Sequence, residues 1–149
     1  KLIGFDGERI TPITKMFPSQ RLTITKTFAG TVDIDSIAAA ATNLAWTTNK
    51  YTWRGYAPGR VIFEGMDASY TQSRAEGSTV DLSYNFSIGK NEDSSYSPVD
   101  GITVASKKAW DYVEIRWRKN PDKSKKIQVP ERAFVNRIYE ESDFATLGV

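Results

Sequence analysis

The chain has no cysteine and no histidine. Without cysteine there is no disulfide framework, no thiol nucleophile and no cysteine-ligated zinc. Without histidine there is no Ser-His-Asp triad, no imidazole acid or base and no imidazole metal ligand. Carboxylates, lysine, tyrosine and hydroxyl groups are the side chains left to carry a reaction. Excess charge is also scarce. Twenty basic residues against eighteen acidic ones give +2. That is too little for a whole-surface nucleic-acid binder, although it is compatible with a local patch. No apolar run approaches the roughly eighteen residues of a membrane span, so no membrane partner is expected. The first eight residues lack the apolar core of a signal peptide. The chain starts at Lys1 rather than at methionine, which suggests an upstream piece removed or left out.

What is present points to β structure. The 149 residues suit one domain, with residues 1–19 as a possible extended N-terminal arm. A domain of that size buries roughly 68–70% of its unfolded surface and needs no covalent staple. Four Trp, seven Tyr and seven Phe, with Thr and Val frequent in the alternating segments, favour strands. Residues 80–88 alternate most cleanly, with Val80, Leu82, Tyr84, Phe86 and Ile88 separated by Asp81, Ser83, Asn85 and Ser87. Successive side chains of a strand point to opposite faces, so one face is dry and the other wet.

The remaining elements fall around that strand. A short strand is expected at residues 2–5. Another is expected at 21–28, its apolar row of Leu22, Ile24 and Phe28 interrupted by Lys26. A helix over about residues 34–46 would be capped by Asp33 or Asp35 and carry Ile34, Ile37, Ala41 and Leu44 as one stripe. Pro58-Gly59 fits the centre of a type II turn. Residues 60–70 read as a strand with Gly65 at a bulge, joined through a polar loop at 72–78 to a strand over 79–88. Residues 89–101 read as a mobile loop. Residues 110–118 read as a strand with Val113, Ile115 and Trp117 inward and Glu114, Arg116 and Arg118 outward. Two further strands, 127–129 and 132–139, are separated at Pro130, and residues 142–149 form one capped helical turn. The expected fold is a mainly antiparallel β-sandwich or barrel with one packed helix.

Each candidate site has a plainer explanation beside it. Glu64, Asp67 and Asp81 lie on paired strands, and two carboxylates about 5–9 Å apart support glycoside hydrolysis. Solvent-face carboxylates paired with nearby lysines and arginines explain them as well. Trp46, Trp53, Trp110 and Trp117 with Tyr51, Tyr56, Tyr70 and Tyr112 could stack sugars, or they could fill a core or a subunit interface. The alternation of Tyr51-Thr52-Trp53 puts its aromatics on one face. Arg116, Arg118, Lys119, Lys123, Lys125 and Lys126 surround a single Asp122 in a basic turn. Such a turn suits phosphate or an acidic partner, or is a solvated hairpin tip. The acidic run Glu140, Glu141 and Asp143 lies near the other end, and opposite charge on two ends suits ring contacts in a homo-oligomer. No phosphate loop is present, because Gly55–Arg60 lacks the terminal lysine and hydroxyl. Asn91-Glu92-Asp93 lacks the alternating ligands of a calcium loop. No catalytic, cofactor or metal residues are assigned, and the chain is read as non-enzymatic.

Three phrases are less generic: residues 53–65 (WRGYAPGRVIFEG), 107–113 (KKAWDYV) and 139–148 (YEESDFATLG). They resemble small structural proteins of tailed bacteriophages and prophages, over about half the chain. The resemblance implies a virion component assembled in the host cytoplasm, such as a neck, head–tail connector or tail subunit. It implies a homo-oligomeric ring around the DNA channel, contacts with other virion proteins and non-specific contact with packaged DNA. A capsid decoration protein is the neighbouring role, and a carbohydrate-binding module is the alternative of another class.

Overall fold

The computed structural model describes residues 20–73, 77–122, 124 and 128–149. The arm at 1–19, with its expected strand at 2–5, and Lys123, Lys125 and Lys126 of the basic turn lie outside the described residues. The elements run β1 (Gln20–Ala29), α1 (Ile34–Leu44), β2 (Thr48–Asn49), β3 (Val61–Ser73), β4 (Gly77–Ile88), β5 (Tyr112–Lys119), β6 (Gln128–Asn136), β7 (Glu141–Ser142) and a 3-10 turn at Phe144–Leu147. A five-stranded sheet has the order β1-β4-β3-β2-β7, and β5 and β6 form a second sheet of two strands. The fold is mainly β and sandwich-like, with one helix and a short C-terminal turn, as the alternation and the single helical stripe imply. Among the described strands all pairings are antiparallel except β2 with β7.

The dry face of β4 forms the core. Val80, Leu82, Tyr84, Phe86 and Ile88 are all buried. Register places Phe63 opposite Phe86, Leu22 opposite Phe86 and Ile24 opposite Tyr84, so β1 and β3 extend the same face. Ile34, Ile37, Ala41 and Leu44 of α1 lie over it, as the i, i+3, i+7, i+10 spacing requires. Phe144 and Leu147 of the C-terminal turn complete the cover. Trp53 packs 4.6 Å from Phe86 and 5.6 Å from Phe144, ring centre to ring centre. Lys26, the break in the apolar row of β1, donates from Nζ to the carbonyl of Gly148. It therefore serves the exposed carbonyl end of the C-terminal turn.

Local chemistry fixes the element ends. Asp33 accepts from the Ser36 hydroxyl and N–H, and these bonds, the hydroxyl's first, hold its carboxyl below the ordinary value. The helix stops at Leu44, two residues before the expected Trp46, because Trp46 adopts φ 61° and its N–H turns to Phe63 O at 2.6 Å. Ala57 and Arg60 close the Pro58-Gly59 turn at 3.2 Å, with Gly59 at φ 81°. The bulge is at Gly65, where the register with β4 shifts after Phe63. The expected loop at 72–78 is shorter, since Gln72 pairs with Ser78 and Ser73 with Gly77.

Two expectations about the second sheet are corrected. Residues 128–136 are one strand that runs through Pro130. Among the described strands β5 and β6 each have a free edge, and the register slips beside Arg116/Trp117, so the missing proline N–H breaks no described ladder. Trp117 does not turn inward to a core but stays 40% exposed. Among the described elements, β5 and β6 pack chiefly on each other.

One buried polar residue ties the irregular segment at 50–60 to the sheet. Asn49 is fully buried. Its amide nitrogen donates to Tyr51 O at 2.8 Å, Ala57 O at 3.0 Å and Tyr56 O at 3.3 Å. Its Oδ1 accepts from the Val61 N–H at 2.9 Å. Inside that clamp, Arg54 (φ 48°) and Gly55 (φ 83°) make a two-residue hairpin whose ends, Trp53 and Tyr56, exchange backbone bonds. The clamp holds Trp53 in the core. Tyr51 is 55% exposed. The expected shared aromatic face at 51–53 is therefore absent, because this segment is a turn and not a strand.

Candidate functional site

The wet face of the large sheet carries a cross-strand polar network. Thr23 Oγ1 donates to Asn85 Oδ1 at 3.1 Å, and Asn85 Nδ2 donates to Asp67 at 2.8 Å. Thr25 and Ser83 share a hydroxyl bond at 3.0 Å, and Thr27 donates to Asp81. Ser87 Oγ donates to Glu64. These pairs follow from register, since Thr23, Asn85 and Gly65 share one row across β1, β4 and β3.

At one end of this face lies an open cleft of about 500 Å³, lined by Arg21, Thr23, Trp46, Glu64, Gly65, Asp67 and Asn85 among others. The bulge creates its floor. Gly65 sits at φ 118° with open space where a Cβ would be. Trp46 stands at the lip, 56% exposed. Two candidates that the sequence keeps apart, the carboxylates and the aromatics, meet here. Asp81 does not line this cleft.

The other aromatics serve separate purposes. Trp53 is in the core, and Trp110 is half-buried with its indole N–H on Arg60 O at 3.0 Å. Tyr56 lies under the Arg60 guanidinium at 5.4 Å. Tyr70 and Tyr112 are exposed. No single platform of four tryptophans exists.

The described basic residues of the candidate set lie on β5 of the β5–β6 hairpin. Arg116, Arg118 and Lys119 are exposed on β5. Arg116 lies over the Phe134 ring at 4.9 Å and 3.7 Å from Glu114. A strand of this length spans about 25 Å, which separates the Lys119 end of the hairpin from its base at Tyr112 and Asn136. The acidic run follows that base, and its members have work within the chain. Glu141 accepts from Lys108 at 2.7 Å and pairs with Arg137 at 3.1 Å. The hydrogen bond from Lys108 is the main cause holding its carboxyl below the ordinary glutamate value. Asp143 caps the C-terminal turn through the Ala145 N–H at 3.0 Å. Glu140 is exposed, and its carbonyl accepts from the Thr48 N–H.

The 89–111 segment joins the two sheets. Glu92 and Lys107 exchange backbone bonds at 2.7 and 3.0 Å, and Asn91 bonds both Pro58 O and the Ala109 N–H. Lys107 is buried, with Nζ donating to the carbonyls of Lys108 and Ala109. Burial lowers its pKa, against the opposing pull of Asp111 and Glu92. Nothing in the alternation of the sequence marks Lys107 or Asn49, the polar groups that organise the two irregular segments.

Among the described residues no group of three or more acidic side chains is placed to hold a metal ion, and no helix is long and apolar enough to cross a membrane. Comparison of the chain with protein-family models, with characterised proteins and with solved structures finds no match.

Proposed function

We propose that this chain is a non-enzymatic structural subunit of a tailed-phage particle. Its place is the neck, the head–tail connector or the tail, and it closes with identical copies into a ring around the DNA channel. The observation that carries this reading is the β5–β6 hairpin. Val113, Ile115 and Trp117 share one face with Val135, Ala133 and Pro130. The aliphatic residues are half-buried and Trp117 remains exposed. A two-stranded hairpin alone is marginally stable in water and gains stability from a covering layer.

Charge argues for a second copy as that layer. Residues 112–136 hold seven basic and three acidic side chains, a net +4. Residues 20–111 and 137–149 hold ten basic and thirteen acidic ones, a net −3. A basic hairpin on an acidic body attracts the next body head to tail, the contact type that closes into rings. The resemblance of residues 53–65, 107–113 and 139–148 supplies the phage setting. Arg116, Arg118 and Lys119 would meet packaged DNA through its phosphates, a contact that weakens steeply with salt.

Sedimentation and negative-stain imaging test the reading. The expected result is a closed ring for the native chain and smaller species for Trp117→Glu and for Arg118→Glu/Lys119→Glu. A chain that stays monomeric at high concentration, or a Trp117→Glu variant that assembles unchanged, refutes it.

A further inference from the structure

The cleft on the wet face takes none of its lining from the β5–β6 hairpin, and its construction points to a ligand. Trp46 is the first sign. A tryptophan at φ 61° lies in the left-handed region, which is strained for an L-residue. The strained backbone is locked by the bond from its N–H to Phe63 O. The result is a large indole held in solvent at the lip of a cleft instead of folded into the core. The second sign is the floor. Thr23, Asn85 and Asp67 form a continuous hydrogen-bonded row, and Ser87 holds Glu64. These groups are oriented before any ligand arrives, which lowers the entropy cost of binding. The third sign is room. The bulge at Gly65 leaves space above the floor, and about 500 Å³ lies within the range of small-molecule sites.

We infer that this cleft binds a neutral saccharide of one or two rings. A pyranose offers an apolar C–H face and an equatorial rim of hydroxyls. The exposed indole matches the face, since Trp presents a broad apolar plane. Glu64 and Asp67 accept hydrogen bonds from sugar hydroxyls, and Arg21 donates to sugar oxygens. With two carboxylates and one guanidinium lining it, the cleft repels an acidic sugar. This inference is independent of the ring assembly and of the phage setting.

The test is isothermal calorimetry on the full chain with glucose, galactose, N-acetylglucosamine, maltose and cellobiose, beside glucuronate and galacturonate. At least one neutral sugar is expected to bind saturably, and the uronates more than tenfold more weakly. Trp46→Gly removes the indole and relieves the positive φ, so its Tm should equal or exceed that of the native chain while affinity falls at least tenfold. Asp67→Asn should weaken binding several-fold, and Tyr70→Ser, a change at an exposed tyrosine outside the cleft, should leave it unchanged. The proposal is overturned by no saturable heat with any neutral sugar at about 50 mM, far above a millimolar Kd. It is equally overturned by uronates that bind as well as neutral sugars, or by binding that survives Trp46→Gly.

Discussion

Replacing Asn49 tests whether one buried amide holds the 50–60 segment. Its two N–H groups serve three carbonyls and its oxygen serves one N–H. Asn49→Ala removes about three net hydrogen bonds, each worth roughly 1 kcal/mol. It also leaves the N–H of fully buried Val61 without its acceptor, which costs up to about 1 kcal/mol more. The expected loss is therefore about 3–4 kcal/mol, or roughly 8–14 °C in Tm for a chain of this size. Asn49→Asp sharpens the test. Its oxygen still accepts from Val61, but an ionised carboxylate would face three carbonyls with no proton to donate. Folding must raise its pKa, so its stabilising contribution is present below the unfolded value of about 3.9 and lost as pH rises through the folded value. Relative to the native chain at each pH, Asn49→Asp should be worst at neutral pH and recover on acidification. Thermal and urea unfolding followed by circular dichroism between pH 4 and 8 measure this. An Asn49→Ala variant within 1 kcal/mol of native, or an Asn49→Asp variant whose stability tracks the native pH profile, refutes the clamp.

Two further outcomes follow from the Lys108–Glu141 contact. Gly59→Ala places a Cβ 2.5 Å from Lys108 Cδ at φ 81°, so it should cost about 1–2 kcal/mol in urea unfolding. Combined with Glu141→Gln it should cost less than the two changes added, because both act on the same ion pair. Glu141 titrates lower when folded than its ordinary value of 4.5. Its contribution is thus present above that value and lost as pH falls through the folded one. Glu141→Gln should cost about 1 kcal/mol at neutral pH and little in strong acid, checked by thermal melts across that range.

The large sheet was legible because half of it is covered. Alternation in residues 80–88 survives in the structure because α1 and the C-terminal turn dry only one face. The helix stripe was legible for the same reason, and the Pro58-Gly59 turn because φ is restricted there by residue type. Trp117 misled because alternation predicts a face and not whether anything covers it. Pro130 misled because a proline breaks a strand only where its N–H would be needed, and edges need none. The cleft was illegible because Trp46, Glu64 and Asn85 come from three segments, brought together by a bulge whose register no pattern states. Asn49 was illegible because its partners are backbone atoms of an aperiodic segment.

The placement of β1 has a kinetic consequence. Among the described strands it pairs only with β4, and the side-chain bonds joining the two strands link residues 54 to 62 positions apart. The strand is synthesised before β4, its partner among the described strands, and its pairing must close a far longer loop than the local β3–β4 hairpin. Such distant closure is slow. Until it happens, one long edge of β4 stays open, and the same strand from another copy matches it residue for residue. The earliest-made strand of this sheet thus has a long loop to close, and it is the one that two folding chains can exchange.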